Sequence, residues 1–550
     1  MYIDDQTYKV GKKNKKTYRR VLLRDSFREG GKVKHHTIAN LSKLSDDEIA
    51  AMKLALKHKG NLAALADVAG ETKTKQGASV GAVWLLHQLA KRLGIIKALG
   101  QSRSAKLVLW MVYARLIRQG SRLSAVRLAR RHAVCDILGM DGFTEDDLYE
   151  AMDWLNERQE TVEDRLFAER YDEPPSLYLY DVTSSYLEGQ CNELGDYGYN
   201  RDKKAGKKQI VIGLLTDETG RPVSVEVFRG NTSDLSTFSS QTDKVKQRFT
   251  GKGVTFVGDR GMIKGPQIDD LPEDFHFITA ITKAQINKML KDGVLQPDLF
   301  DEKLFEVQEG AYRYILRRNP NRRLEMAQTR RSKRTRVERL VQEKNVYLSE
   351  HPRAQVKTAV NAIYDKLNRL KIGSWLTPQA CGRKIDLVED PDVLAEVSKL
   401  DGCYVIKTDL EKEAASAETV HGRYKDLAEV EWGFRTMKTV FLEMRAIYVR
   451  KACRTRAHVF IVMLAYLLSF ELRRLWSGLD MTVEEGIHDL GQLCATEVHI
   501  KNQFACQTIP QPRESGRRLL KLAGVELPPC LPCKKANVHT KVKLQKQRLK

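Results

Sequence analysis

The apolar positions divide the chain into stretches with helical period and stretches with strand period. The first 40 residues alternate polar and apolar side chains around Gly30-Gly31, which predicts strands joined by a turn. Ser45–Glu48 has the spacing of a capping box and predicts a helix to about His58. Residues 79–170 repeat apolar side chains at helical spacing without a proline, which predicts an all-helical region.

After Pro174-Pro175 the pattern changes to short apolar runs that predict strands. These runs are 177–182, 209–215, 222–228, 254–257 and 275–281. A hairpin connection joins the second run to the third, and helices are predicted to begin near Asp234 and Lys264. Strands that pair in succession, followed by strands that alternate with helices, predict an α/β fold with a mixed sheet.

The later part of the chain predicts an inserted subdomain within this α/β region. Residues 284–402 contain a hairpin-like stretch and two helical stretches, and the α/β pattern resumes at Tyr404. Two helices follow, at about 425–441 and 454–476. We predict six regions along the chain: a β-unit with a helix (1–60), a helical basic region (61–173), a first core part (174–283), an insert (284–402), a second core part (403–476) and a C-terminal region with a basic tail (477–550).

Composition favours a folded, soluble protein. Of the 550 residues, 42% are hydrophobic and 30% are charged, enough apolar surface for several cores. The longest nearly uncharged apolar stretch, His458–Phe470, is shorter than the roughly 20 residues that a bilayer requires, so it predicts a core helix and no membrane association. The N-terminus lacks the apolar segment of a secretory signal, and we expect a cytoplasmic protein.

The net charge of +22 is concentrated in four basic clusters: 9–20, 103–131, 313–339 and 534–550. Each neutralised phosphate releases counterions, so several such clusters favour a nucleic acid as partner, with ribosomes or anionic lipid as alternatives. Residues 103–131 hold eight basic side chains between apolar ones and predict an amphipathic helix with an arginine-rich polar face. We therefore expect the helical region to bind DNA.

The nine cysteines are scattered, odd in number and sparse, which is typical of reduced thiols. Cys530 and Cys533 form one CxxC pair with His539 six residues later. This is half of a zinc ligand set without a second CxxC nearby, so a structural zinc and a pair without metal both remain open.

Two aspartates lie where buried strands are predicted to end. Asp181 follows the apolar run Leu177–Tyr180, and Asp259 follows the run VTFVG. A carboxylate in such a place costs free energy unless it is paired or binds a cation, and ligand sites of open α/β sheets lie at strand ends. Each aspartate alone is also explained as a cap of the next turn. The two together resemble oxygen ligands for Mg²⁺.

A third carboxylate, Glu431, lies on the helix predicted at about 425–441. It shares one side of that helix with Tyr424, Leu427, Arg435 and Lys438. The adjacent side is an apolar stripe, which places Glu431 next to the core. A surface ion pair between Glu431 and Arg435 is the alternative interpretation of this spacing.

At these residues the chain resembles the DDE transposases of bacterial insertion sequences, in the insertion-sequence-four superfamily. The superfamily signature is Tyr, two residues, Arg, three residues, Glu, six residues, Lys. Tyr424, Glu431 and Lys438 hold this spacing, and Leu427 stands in place of the arginine. The segments LYLYDVTSSYLEG and VTFVGDRGM resemble the motifs of the first and second acids. The resemblance covers about Leu177 to Ala465, and ANLSKLSDDEI resembles one subgroup.

The resemblance implies a ribonuclease-H-like core that is interrupted by an insertion before the glutamate helix. It implies that Asp181, Asp259 and Glu431 hold two divalent ions, Mg²⁺ or alternatively Mn²⁺. The reaction would be phosphodiester hydrolysis at each transposon end, followed by attack of the freed 3′-hydroxyl on target DNA. Tyr424 and Lys438 would contact the DNA, and we add Arg435 as a phosphate contact. The implied partners are double-stranded DNA, at the transposon ends and the target, and a second copy in a homodimer on DNA.

Two other functions remain compatible with the sequence. A related nuclease with the same core would cleave DNA without joining strands. A catalytically inactive, transposon-derived regulator would bind DNA only, although all three acids are present.

Overall fold

The structure is a computed structural model that describes residues 1–10, 16–57, 72–249, 253–439, 441–445, 447–500, 503–531 and 538. The chain divides into two compact units. One comprises Met1–Ser79, Cys494–Gln511 and Leu527–Cys533, and the other comprises Val80–Leu493, Pro512–Glu526 and Lys534–Lys550.

The first unit contains two three-stranded antiparallel sheets. One joins β1 (Tyr2–Val10), β2 (Lys16–Glu29) and β3 (Lys32–Asn40) in sequence order. The other has the order β16-β15-β4, from β4 (Thr72–Ser79), β15 (Cys494–Ile500) and β16 (Gln503–Thr508).

The predicted N-terminal turn and helix are both confirmed. Gly30 and Gly31 have φ of 59° and 76°, a region that favours glycine, and they close the β2–β3 hairpin. Helix α1 (Asp46–Lys57) begins with the predicted capping box, because Ser45 N donates to Glu48 Oε2 at 2.7 Å and Glu48 N donates to Ser45 Oγ at 3.4 Å.

The second unit begins with the predicted helical region. Its helices are α2 (Gly81–Arg92), α3 (Ile95–Leu99), α4 (Arg103–Ile117), α5 (Arg122–Ala129), α6 (Val134–Leu138), α7 (Glu145–Glu157) and α8 (Gln159–Arg170). Polar side chains start three of them by accepting a backbone N–H, namely Ser102, Ser121 and Thr144. The prediction of helix throughout this stretch is confirmed.

The arginine-rich polar face predicted for residues 103–131 is wrong for α4. Residues 107–116 of this helix are buried, including Arg115, which is 4% exposed, and Arg122 at the start of α5 is 7% exposed. Burial lowers the pKa of Arg115 to about 9 and that of Arg122 to about 10. The reason is tertiary, since α7 and α17 (Ala452–Leu475) both pack against α4 and enclose it.

We expect Arg122→Met to fold with at least wild-type stability and to leave the salt dependence of DNA binding unchanged. Arg122 Nη1 contacts Met111 Sδ at 3.0 Å, and exchanging a buried charge for an apolar side chain of similar volume is often neutral or stabilising. The slope of log Kd against log salt, from fluorescence anisotropy with duplex DNA, measures this. A slope reduced by about 0.9, as for one lost phosphate contact, would show that Arg122 binds DNA.

An eight-stranded mixed sheet forms the rest of the second unit's framework. Its strands are β5 (Leu177–Tyr186), β6 (Gln209–Asp217), β7 (Pro222–Arg229), β8 (Val254–Gly258), β9 (Phe275–Ala280), β10 (Phe305–Glu309), β11 (Tyr312–Arg318) and β14 (Cys403–Thr408). The spatial order is β10-β11-β14-β9-β8-β5-β6-β7. The pairs β5–β8 and β8–β9 are parallel and the others are antiparallel. The predicted mixed α/β sheet is confirmed.

Helices cover this sheet and bury its apolar residues. Helix α9 (Asp234–Arg248) packs Phe238 against Tyr180 and Phe256 of the sheet, and the short α10 (Gly265–Asp269) follows β8.

Within the described residues, α17 is the one helix that is long and apolar enough to cross a membrane. Of its most apolar 18-residue window, 94% is buried inside the protein.

The segment between β11 and β14 forms a hydrophobic core of its own. It contains α12 (Pro320–Glu350), α13 (Val356–Leu370), β12 (Leu376–Cys381), β13 (Lys384–Glu389) and α14 (Pro391–Ser398). Val337, Ile363, Trp375 and Ile385 are central to that core. The hairpin β10–β11, which we predicted as part of the insert, instead extends the large sheet because β11 pairs with β14.

The remaining helices are α11 (Lys283–Lys291), a 3-10 helix (Pro297–Leu299), α15 (Ala417–Lys425), α16 (Leu427–Lys438), α18 (Val483–Gly491) and α19 (Glu514–Leu522). The helix predicted at about 425–441 is confirmed as α16, which begins two residues later and ends three residues earlier than predicted. Tyr424 lies instead on α15, which ends where α16 begins, at Asp426. Cys530 is exposed, whereas Cys533, His539 and the basic tail, apart from Val538, lie outside the described residues.

Candidate active site

Strand β5 presents Asp181 from an otherwise buried row. Nine of its ten residues have apolar, aromatic or hydroxyl side chains. Asp181 is the charged residue, and it is partly exposed, whereas every other residue from Leu177 to Ser185 is buried. Val182 N donates to Asp181 Oδ1 at 2.7 Å. In the parallel pair, Tyr180 lies opposite Gly258. The residue after Gly258 is Asp259, so the register brings the two aspartates together.

Asp259 begins a tight turn after β8. Met262 N donates to the Asp259 carbonyl at 2.9 Å, and Arg260 N donates to Asp259 Oδ1 at 2.7 Å. A Cβ placed on Gly261 would lie 3.9 Å from Asp259 Oδ2 and 3.7 Å from Asp234 Oδ2. Asp234, the first residue of α9, is therefore a further carboxylate beside this turn.

Helix α16 brings Glu431 to the same place from a distant part of the chain. Its apolar side buries Val430, Phe434 and Met437, and the helix packs against β5. A Cβ on Gly433 would lie 3.0 Å from the Tyr466 hydroxyl, so the absence of a side chain there allows α16 to approach α17 closely. Glu431 lies beside this apolar side and is exposed.

The three carboxylates line one cavity of about 660 Å³. Its lining residues are Asp181, Val182, Thr183, Arg201, Asp234, Asp259, Met262, Asn319, Tyr404, Tyr424, Lys425, Leu427, Ala428, Glu431 and Phe434. Asp181, Asp259 and Glu431 come from three separate elements, as the sequence interpretation requires. Tyr424 of the signature also lies here, as does Leu427, which replaces the signature arginine.

The charge of the cavity is mainly negative. Burial raises the pKa of Asp181 to about 7, and the negative charges of Asp259 and Glu431 add to the shift. Burial likewise raises the pKa of Tyr424 to about 12, with Asp259 adding to it, so the phenol is protonated at neutral pH. In the described part of the chain, no lysine or arginine forms a salt bridge with Asp181, Asp259 or Glu431. A cation would relieve the repulsion among these carboxylates.

The donor set fits a divalent ion that prefers oxygen. Mg²⁺ takes one or two carboxylates and completes its shell with water and phosphate oxygens. Among the described residues, no three His, Cys, Asp or Glu side chains are close enough to hold a metal together. The three carboxylates thus line one cavity without forming such a group by themselves.

Comparison with known families identifies the protein class. The family model for the transposase DDE domain matches residues 172–468, more than half of the chain. The chain belongs to the DDE transposases of insertion sequences. The model for the N-terminal domain of IS1634 family transposases matches residues 8–66. The family prediction from sequence is confirmed: the protein is a transposase, an enzyme that acts on DNA, and such enzymes generally use divalent metal ions.

Two further comparisons complete these findings. No curated protein matches the chain. Among solved structures, the transposase is similar to the piggyBac transposase in a cryo-EM structure of its synaptic complex with hairpin DNA, with 9% identity and a TM-score of 0.35. The match covers 70% of this chain and 69% of the piggyBac chain.

Sequence reasoning missed three charged residues of the transposase cavity, namely Arg201, Asp234 and Lys425. Arg201 lies in the β5–β6 loop (residues 187–208), and its Nη2 donates to Asp234 Oδ2 at 2.6 Å. Asp234 had only a helix-start signal, and Arg201 lay among many basic residues without a periodic pattern. The signal that was available is the run of polar residues between two buried strands, since ligand sites favour loops at strand ends.

Two predicted DNA-binding residues of the transposase lie outside this cavity. Lys438 Nζ donates to Asp202 Oδ1 at 3.0 Å, and its side chain is 11% exposed. Burial lowers the pKa of Lys438, although Asp202 opposes the shift. Arg435 lines a second cavity of about 460 Å³ with Trp432 and Arg473, whose guanidinium lies 3.6 Å from the ring centre of Trp432. Of the signature residues, Tyr424 and Glu431 therefore share the first cavity, together with Leu427 at the position of the signature arginine.

Proposed function

We propose that this transposase hydrolyses a phosphodiester at each end of its element and then joins the freed 3′-hydroxyl to target DNA. The observation that carries the proposal is the meeting of Asp181, Asp259 and Glu431 in one cavity from three separate elements. The neighbouring strands β7-β6-β5-β8-β9, three antiparallel and then two parallel, support a ribonuclease-H-like core.

Both steps are substitutions at phosphorus. In the first, a water oxygen bonds to phosphorus, the bond to the 3′-oxygen breaks, and that oxygen leaves as a 3′-hydroxyl. In the second, this hydroxyl attacks a phosphodiester of the target, and a target 3′-hydroxyl is released. Two Mg²⁺ ions, or Mn²⁺ instead, held by Asp181, Asp259 and Glu431, would supply activation of the attacking oxygen and charge stabilisation of the leaving one.

The chain's own residues then have defined tasks. The protonated hydroxyl of Tyr424 can donate to a phosphate oxygen at the cavity. Lys438 and Arg435 would bind DNA beside it. So would the predicted DNA-binding region 61–173, whose described residues form β4 and the helices α2 to α8. Joining two ends requires two active sites, so we propose a homodimer on DNA. Because its substrate is DNA, we place the enzyme in the cytoplasm, at the nucleoid when bound.

A strand-transfer assay tests this proposal. Incubated with Mg²⁺, linear DNA that carries the element's ends and a target plasmid, the transposase is expected to give cleaved ends and joined products. Removal of the divalent ion with EDTA should abolish both and leave end binding largely intact. Cleavage without joined products would favour the nuclease alternative, and binding without cleavage would favour the inactive regulator.

A further inference from the structure

The β5–β6 loop is fastened to the glutamate helix through one buried carboxylate. The Asp202 side chain is 2% exposed, and its Oδ1 accepts from Lys438 Nζ at 3.0 Å and from Arg445 Nη1 at 2.8 Å. Its Oδ2 accepts from Tyr186 N, the last residue of β5, at 3.3 Å. Asp202 thus joins the strand of Asp181 to the helix of Glu431.

This anchor fixes the preceding residue, Arg201, at the cavity. Arg201 N donates to Ser184 Oγ of β5 at 2.9 Å, and the guanidinium reaches Asp234 Oδ2 at 2.6 Å. The Arg201 side chain is 25% exposed, so it can reach a ligand. Arg201 and Lys425 are the cationic residues that line the cavity in the described part of the chain, facing four carboxylates.

We propose that Arg201 contacts a DNA phosphate at the reacting end and that Asp202 is its positioning residue. The inference rests on the proposed function. The divalent ions of the proposed function would offset the charge of Asp181, Asp259 and Glu431, and Arg201 faces the fourth carboxylate, Asp234. Its planar guanidinium matches phosphate oxygens with two parallel N–H donors. Without DNA, Asp234 holds Arg201 in place.

The arrangement also gives Lys438 of the signature a role that is compatible with DNA binding. An ammonium group has three donors, and Asp202 accepts from Lys438 through one oxygen. The helix and the loop are therefore coupled whether or not Lys438 also contacts DNA. Loss of the Asp202 carboxylate would release both Lys438 and the loop that carries Arg201.

The first experiment compares Arg201→Ala with Lys204→Ala, an exposed control on the same loop that lies outside the cavity. We expect Arg201→Ala to cleave roughly a hundredfold more slowly, the effect of removing one preorganised donor to a developing charge. Its slope of log Kd against log salt should fall by about 1. Lys204→Ala should cleave at the wild-type rate.

Methylphosphonate substitution of single phosphates near the cut locates the contact. At one position the neutral group should slow the wild-type enzyme but have little further effect on Arg201→Ala. Equal slowing of both proteins at every position, or full cleavage by Arg201→Ala, would overturn the proposal. Asp181→Asn separates failure of this inference from failure of the proposed function. If Asp181→Asn is inactive while Arg201→Ala is fully active, the carboxylate site stands and the Arg201 inference fails.

Asp202→Asn tests the positioning role. If Asp202 positions Arg201, Asp202→Asn should lower the cleavage rate and the slope of log Kd against log salt as Arg201→Ala does. The variant with both changes should then cleave no more slowly than the slower of the two single variants. Independent, multiplicative effects in the double variant would contradict the role. Because Asp202 is buried, thermal melting must accompany the assay, and Arg201→Ala, which alters a partly exposed side chain, decides the question if Asp202→Asn does not fold.

Discussion

Asp181→Asn is expected to lower the rate of strand cleavage by roughly a thousandfold or more while the transposase still binds DNA. Bound metal ions contribute several kcal/mol to such reactions, and about 1.4 kcal/mol corresponds to a factor of ten in rate. Asparagine keeps the shape of Asp181 but removes the negative charge that would hold an ion. Asp259→Asn and Glu431→Gln should behave alike. Gel assays of end cleavage and anisotropy with the same DNA measure the two effects separately.

Unfolding would not account for this loss. Burial disfavours the charged form of Asp181 and raises its pKa to about 7, so a neutral amide removes a desolvation cost. Asp181→Asn should therefore melt at or above the wild-type temperature. A lower melting temperature together with lost DNA binding would contradict the assignment, as would full cleavage.

Glu188→Gln is the matched control. Glu188 lies seven residues after Asp181, accepts from Lys207 Nζ at 2.7 Å and does not line the cavity. We expect this variant to cleave DNA at the wild-type rate. Loss of cleavage in Glu188→Gln comparable to that in Asp181→Asn would show that the assay reports general damage to β5 and its loop rather than metal binding.

The sequence predicted the acidic residues because each stands out locally. Asp181 interrupts a run of buried side chains, Asp259 follows another, and Glu431 lies on a helix with a clear apolar stripe. The strands were predictable for the same reason, since alternation and short apolar runs are properties of neighbouring residues. Resemblance to the family then related the three acids to one another before any pairing was known.

Contacts between distant segments could not be predicted in this way. Asp202 and Lys438 are 236 residues apart, and the local sequence around neither residue predicts their ion pair. The burial of Arg115 likewise depends on α7 and α17, which enclose α4, whereas the local pattern resembles an exposed basic face. Arg201, Asp234 and the true setting of Lys438 therefore became visible only with the tertiary structure.

Gly230→Ala is expected to destabilise the second unit by about 3 kcal/mol or more and to impair cleavage. A Cβ at this position would lie 2.0 Å from the Gln209 carbonyl oxygen and 2.5 Å from that of Asp196. Both atoms belong to the backbone and cannot turn away. Gly230 N also donates to the Leu194 carbonyl at 3.1 Å, so the glycine packs where the β5–β6 loop leaves and re-enters the sheet. Displacing that backbone would move Arg201 and Asp202 together with it.

Gly422→Ala is the control for this prediction, because the same change at this position is expected not to destabilise the protein. Gly422 lies within α15, and a Cβ there meets nothing within 4 Å, so alanine should leave stability unchanged or raise it by up to about 1 kcal/mol through helix propensity. Thermal melting and urea titration of both variants measure the difference. If Gly230→Ala melts at the same temperature as Gly422→Ala and cleaves DNA at the wild-type rate, the loop tolerates the displaced backbone. The close packing at Gly230 then does not hold Arg201 in the cavity.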